Sequence, residues 1–386
     1  MKFKNFDVLI VYPELTASSA ASMAEVPFGT LNDDYSYNQV YAYLLEQCQK
    51  QGLTAAFTTS ADIIGPGSCS SYWLFENGTW EKNEIEASSK FIFDKFSPTT
   101  PKLLNQHNLL FSSDSVTSIN STKIHQLFLD KYLTYEKFES MAIPTVTINQ
   151  PTMQGVGDAL RKLHSIIKTH PDKNEFGQRI ILKDRYGSEG ADVYKFDVSQ
   201  TDEILAVLTN SKKKSFIIQP FMLFDAGYMY KNKPVSADIR LIYLNKKIVL
   251  SYIRMASKGD FLCNAHQGGS LQYIKVSDIP NIVRKSADIA FSLLGNNPSF
   301  FSLDFVISNG GKAFLIEGNS RTGINWDPDD RSDTIMTKKL IRDIVAVFKS
   351  RITKMRLGSK VSRTPILEIG KIPSVPEKST SDFLLS

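Results

Sequence analysis

The chain has 386 residues, 42% of them hydrophobic, which is enough for two or three packed lobes and excludes a disordered or fibrous protein. With 45 Lys and Arg against 40 Asp and Glu the net charge is +5, compatible with an anionic small molecule but too mild to argue for nucleic acid. No apolar run approaches the roughly 18 residues of a membrane span, and the apolar start of the chain is interrupted by Pro13 before it reaches signal-peptide length.

Residues 6 to 13, FDVLIVYP, form a continuous apolar run of the kind buried in a parallel sheet. A Ser/Ala/Asp-rich loop follows. Val40, Leu44 and Leu45 then carry a helical period that ends at Gly52, and LTAAFTTS is the next strand. This β-α-β order predicts a small doubly wound lobe. Asn77-Gly78 lies between two short apolar segments and signals a hairpin. FIFDKFSP is another buried strand, with Asp94 and Lys95 at its carboxyl end, where open α/β sheets bind ligands; by themselves these two are expected simply to meet water.

Residues 120 to 150 start with an Asn/Ser cap, run through one amphipathic helix and end at Ile143-Pro144 with a new strand, which marks a boundary. A polar helix covers about 157 to 170. In RIILKDRYGSEGADVYKF two strands enclose a loop containing Gly187 and Gly190, residues that allow turns with positive φ and can aim backbone N–H groups at one anion. Taken alone, this is a hairpin. No GKS or GKT ending follows, so it is not a Walker loop. Lys183, inside the first of these strands, needs a counter-charge that a nucleotide phosphate would supply.

KSFIIQPFM contains Pro220, which cannot donate to a ladder, so an edge strand or hinge is expected. Gln219 and the backbone near Phe216 and Phe221 could clasp an adenine there, a plain edge strand being the alternative. Two alternating strands come next. Asp238 and Arg240 share a face of the first, Arg254 leaves the second, and Lys258, Asn264, His266 and Gln267 crowd the following loop. Such a set suits an anionic substrate. His266 reads as a loop hydrogen-bonder rather than a base.

After a helix from about 277 to 294, FFSLDFVISNGGKAFLIEGNS reads as a hairpin turning at 308 to 311. If Ile307 faces Lys312, then Asp304 faces Leu315 and lies diagonal to Glu317, with both acids and Asn319 on one face. Either acid alone reads equally well as a surface salt bridge. The pair with Asn319 points to an all-oxygen site suited to Mg²⁺. A last helix is expected near 333 to 350, followed by a basic, Pro/Ser-rich tail. Cys48, Cys69 and Cys263 are odd in number and widely spaced, which fits reduced thiols in the cytoplasm.

Laid end to end, Lys183 before GSEG, Gln219, DIR, Arg254, NAHQGG, Asp304 and EGN resemble the ATP-grasp enzymes, in the branch of glutathione synthetase and the RimK-like glutamate ligases. The resemblance covers roughly residues 120 to 325. It implies an α+β grasp fold of two lobes preceded by a small doubly wound α/β pre-ATP domain, with boundaries at 1–120, 121–215 for the lobe of the Gly-rich loop, 216–350 for the metal and acceptor lobe, and 351–386 for a tail. It further implies that Lys131, Lys183 and the loop Gly187, Ser188 and Gly190 hold the phosphates of ATP. Gln219 and Phe221 would hold adenine, Asp238 the ribose, and Asp304, Glu317 and Asn319 two Mg²⁺ ions, with Mn²⁺ as a substitute. Arg240, Arg254 and Asn264, with Lys183, would serve catalysis.

The implied reaction joins a small carboxylate and an amine, amino-acid or peptide-like, through an acyl phosphate, in a protein with room for homodimerisation. A synapsin-like regulatory module and an ATP-grasp kinase are the alternatives. Replacing Glu317 or Arg254 by Ala is expected to abolish turnover and spare the fold. Two departures, the insertion LFDAGYMYKNKP and SRTG after Asn319 in place of a small-Pro-Gly turn, fall on the acceptor pocket.

Overall fold

A computed structural model describes residues 3–361 apart from 30–35, 97, 99, 188–189, 191, 212–213, 264–267 and 296–298. The first unit is a six-stranded sheet in the order Thr117–Ser118, Phe91–Asp94, Val8–Tyr12, Ala55–Thr59, Tyr72–Glu76, Thr79–Asn83. Its first four strands run parallel and the last two form the foreseen antiparallel hairpin, in which Asn77 and Gly78 take φ of 52° and 82°, the positive values a two-residue hairpin turn demands. A second sheet of four short strands, Lys4–Asn5, Ala87–Ser88, Ser68–Cys69 and Ile63–Gly65, was not foreseen, because strands of two or three residues carry no period.

The next unit is an antiparallel sheet ordered Val146–Thr147, Phe216–Met222, Phe176–Asp184, Val193–Asp197, covered by helices Met153–Thr169 and Thr201–Asn210. Phe216–Met222 is therefore an inner strand, not an edge, and belongs to this lobe rather than to the one expected to begin at 216. Pro220 is tolerated there because Val146–Thr147 pairs only with Ile217 and Ile218, so the strand is unpartnered on that side at the proline.

The last sheet is antiparallel throughout, in the order Ser270–Tyr273, Lys247–Met255, Ala237–Leu244, Phe300–Ile307, Ala313–Asn319. One face buries Ile239, Leu241, Phe301, Leu303 and Phe305 against helix Asn281–Leu294 and the linker helices. Ile242, Leu244, Leu250 and Phe300 instead join a core shared with the first unit, in which Phe91 and Phe93 meet Ile341, Ile344 and Phe348.

Two segments depart from expectation. The linker helix breaks into Thr122–Leu129 and Lys131–Lys137, because Asp130 takes an extended conformation and its carboxylate caps the second helix at the N–H groups of Tyr132 (2.9 Å) and Leu133 (3.3 Å). The final helix runs Arg331–Val361, eleven residues into the expected tail. Ile352 and Met355 continue the apolar stripe of Phe348, and Arg351 Nη1 donates to Ser118 O at 2.9 Å; basic neighbours hide this stripe in the sequence. No helix among the described residues is long and apolar enough to cross a membrane.

Candidate active site

The sheet containing Phe176–Asp184 and Phe216–Met222 and the last antiparallel sheet face one another across an open cleft whose empty space, open mouth included, is about 940 Å³. Its lining combines apolar side chains, Ile143, Ile181, Val193, Phe221, Met222, Phe224, Phe261, Val306 and Ile316, with charged ones, Lys131, Lys183, Asp238, Arg254, Asp304 and Glu317. Gly187, Gly190 and Gln219 line it as well, so ten residues singled out from the sequence meet around a single cavity. Arg240 and Asn319 join through side-chain contacts described below, whereas Ser188, Asn264 and His266 lie outside the described residues.

The hairpin carrying the acids closes one residue later than expected, with Ile307 opposite Ala313 and Ser308 N donating to Lys312 O at 2.8 Å. The pairing then skips Ile316 in a β-bulge, so Asp304 stands directly opposite Glu317 instead of diagonal to it. Directly opposed residues share a face, and Asn319, two further on, shares it too; its Nδ2 donates to Glu317 Oε1 at 3.2 Å.

Asp304 is fully buried and accepts three guanidinium hydrogen bonds: Arg240 Nε at 2.7 Å, Arg240 Nη2 at 2.5 Å and Arg254 Nη2 at 2.8 Å. Burial alone would raise its pKa, but the two arginines hold it down at about 2. Asp238, assigned to the ribose by resemblance, gives both oxygens to Arg254 at 2.8 Å each, so its visible role is to orient that arginine. Burial pushes the Asp238 carboxyl up against the pull of Arg254. The strand pairing explains this lattice: Asp238 lies opposite Arg254 on one side, and Arg240 opposite Asp304 on the other.

Lys183 is different. It is buried on its strand and has no ion pair or hydrogen bond among the described residues; burial, reinforced by Lys131, lowers its pKa to about 8 against the weaker pull of Glu317. Lys131 follows Asp130 at the start of its helix and donates from Nζ to Gly187 O. The same Asp130 holds Arg185 through Nε at 2.7 Å and Nη2 at 2.5 Å, and Tyr132 and Tyr186 each lie 5.4 Å from the Arg185 guanidinium. The base of the Gly-rich loop is thus tied to the linker helix. Of its two expected positive-φ glycines only Gly190 takes that conformation, at 75°.

Also in the lining, Gln219 is buried and its Nε2 donates to Thr145 Oγ1 at 2.7 Å. Phe221 and Phe261 meet edge to face at 5.7 Å, with Lys195 Nζ 4.8 Å and 4.5 Å from their ring centres. Phe261 and Lys195 had no signal in the sequence, since they join only when the two lobes close. Asp94 and Lys95 were also misread. Neither simply meets water: Asp94, nearly buried, pairs with Arg321 and His107, and Lys95 is buried against backbone carbonyls of the loop that follows Ala313–Asn319.

Two α+β lobes that grip a cleft with a Gly-containing loop on one side and paired acids on the other define the ATP-grasp architecture. Solved structures agree. D-alanyl-alanine synthetase A from Vibrio cholerae superposes with a TM-score of 0.54 at 10% identity, covering 91% of this chain and 99% of that one. D-cycloserine synthetase does so with 0.54 at 13%, covering 88% and 99%. At such identities the likeness shows the fold alone.

A sequence profile of the RimK-like ATP-grasp domain matches residues 134–344, more than half of the chain, and the chain belongs to that family. A probable alpha-L-glutamate ligase of Psychromonas ingrahamii is 28% identical over 152 residues, 39% of this chain and 45% of that protein. Another, from Pseudoalteromonas atlantica, is 29% identical over 187 residues, 48% and 56%. The chain spans about half the length of the curated relatives it matches.

Proposed function

We propose that the chain is an ATP-dependent ligase that joins a carboxylate to an amine through an acyl phosphate, releasing ADP and phosphate. One observation carries this reading. The cleft combines a buried lysine that has no ion pair among the described residues with an oxygen donor set, the buried Arg254 and the partly buried Arg240. A binding module needs only the lysine and the loop. Phosphoryl transfer also needs charge stabilisation where charge develops.

The donor set fits Mg²⁺. Two carboxylates and an amide oxygen share one ribbon face, and hard oxygen donors are what this cation takes. Asp304, Glu317 and Asn319 would hold the metal, two ions being our proposal with Mn²⁺ as a substitute; bound there, it would neutralise phosphate charge. Asp304 already accepts three guanidinium bonds of about four it can take, so the site is complete only when nucleotide phosphates give Arg240 and Arg254 a second anion.

In this reading Lys183 and Lys131 bind the phosphates under the loop through Gly187 and Gly190, and Phe221 and Phe261 enclose the base. Arg254, kept in place by Asp238, faces the transferring phosphoryl group and the charge that develops on the attacked carbonyl. Closure of the loop shields the acyl phosphate from water. The acid and amine are small or peptide-like. The cytoplasm is the proposed compartment, and the buried free thiols of Cys48, Cys69 and Cys263 fit a reducing one.

The test is incubation with ATP, Mg²⁺ and pools of amino acids and short peptides, reading phosphate and new masses together. Phosphate release coupled to an amide-sized mass gain is expected. ATP binding without turnover in any pool would favour the regulatory module instead.

A further inference from the structure

The segment that follows Asn319 is gripped from outside its own lobe. Lys95 Nζ, at the exit of strand Phe91–Asp94, donates to Thr322 O at 2.6 Å. Asn120 Nδ2 donates to Ser320 O and, at 2.6 Å, to Phe300 O, and its Oδ1 accepts from Phe300 N at 2.8 Å. His125 Nδ1 lies 3.0 Å from Ser320 Oγ. Arg321 Nη2 donates to Asp94 Oδ2 at 2.9 Å, its Nη1 to the His125 ring, and His107 Nε2 lies 3.0 Å from the same Asp94 oxygen. Thr322 Oγ1 closes the turn on Asn319 O at 3.2 Å.

Lys95, His107, Asn120, His125, Ser320 and Thr322 are buried, Asp94 and Arg321 nearly so, and the proposed chemistry uses none of them. Burying an ion pair with two histidines is a poor way to gain stability, because apolar side chains of similar volume do as well or better. What the polar set adds is a fixed path for three consecutive residues directly after a proposed metal ligand. Packing helps from the other side: a Cβ at Gly318, between Glu317 and Asn319, would stand 2.3 Å from the Phe128 ring, so this linker side chain lies flat on the strand.

We propose that Asp94, Lys95 and Arg321 are positioning residues for the metal site, a clamp through which the first unit fixes Asn319 beside Glu317 and Asp304. The inference rests on the reading of those three as metal ligands. Partners that orient metal ligands typically affect metal affinity by 10- to 100-fold when removed.

The test uses the full chain and Mn²⁺ as a spin probe, titrated by electron paramagnetic resonance at saturating ADP, with ADP affinity measured separately in the absence of metal. Lys95→Met removes one donor and leaves no buried charge behind. The double variant Asp94→Asn with Arg321→Met removes the ion pair as a unit. In either folded variant Mn²⁺ binding is expected to weaken about tenfold or more while metal-free ADP binding stays within about twofold. Unchanged Mn²⁺ affinity in folded Lys95→Met and double variant would overturn the clamp. Glu317→Gln separates the two levels. If it too leaves Mn²⁺ binding unchanged, the metal reading fails and takes the clamp with it; if it alone weakens binding, only the clamp fails.

Discussion

Lys183 offers the sharpest quantitative test of the nucleotide site. Burial and the nearby Lys131 bring its pKa from 10.5 to about 8 in the folded protein. An unfolded chain therefore binds this proton more tightly than the folded one, so below pH 8 the lysine destabilises the fold, and the deficit is regained as pH rises toward 10.5. The full span, 2.5 pKa units at about 1.4 kcal/mol each, sets an upper bound of about 3.5 kcal/mol. Lys183→Met should therefore raise the melting temperature at pH 7 while weakening ADP binding. A phosphate beside the lysine restores its proton, so in wild type the metal-free ADP affinity should fall by about tenfold per pH unit above 8, roughly 30-fold by pH 9.5. Lys183→Met should lose that slope. Calorimetry in buffers of different ionisation enthalpy would show the proton taken up on binding above pH 8. A wild-type ADP affinity flat between pH 7 and 9.5, or a methionine variant that keeps the slope, would refute the role of Lys183.

Other substitutions separate chemistry from architecture. Glu317→Gln should abolish phosphate release with a melting temperature within a few degrees of wild type, as the side chain is only partly buried and the amide keeps its shape. Arg254→Ala should also abolish turnover, but it leaves the buried Asp238 and Asp304 short of a partner and is expected to cost about 3–5 kcal/mol, seen as a large drop in denaturation midpoint; the expectation from sequence that it spares the fold does not survive the lattice. Phe261→Ala should raise KM for ATP with a much smaller change in kcat, because it removes an apolar wall of the cleft and its edge-to-face contact with Phe221 while leaving the charged side chains in place. Gly318→Ala should destabilise by about 1–3 kcal/mol through the clash with Phe128, read by chemical denaturation.

Much of the site was legible in the sequence because each contribution is local. A hairpin brings Asp304, Glu317 and Asn319 to one face through nearby residues, and two alternating strands do the same for Asp238, Arg240 and Arg254. The bulge at Ile316 was not legible, since nothing in AFLIEGN distinguishes a skipped residue from a paired one. Contacts between distant segments were the main omission. Asp94 and Lys95 looked solvated because Arg321 and Thr322, more than 220 positions away, supply their partners. The grip of Asp130 on Arg185 likewise spans 55 positions and appears only when linker helix and Gly-rich loop are brought together. The extent of the last helix was lost to its basic composition, which conceals Ile352 and Met355.

The most direct measurement follows oxygen. With pools of amino acids and peptides labelled with ¹⁸O in their carboxylates, the phosphate released in the presence of ATP and Mg²⁺ should gain one heavy oxygen, two mass units, in step with amide formation, because an acyl phosphate passes a carboxylate oxygen to phosphate when the amine displaces it. Unlabelled phosphate, or a stable phosphorylated product with no free phosphate, would contradict a ligase and replace it with an ATPase or a kinase.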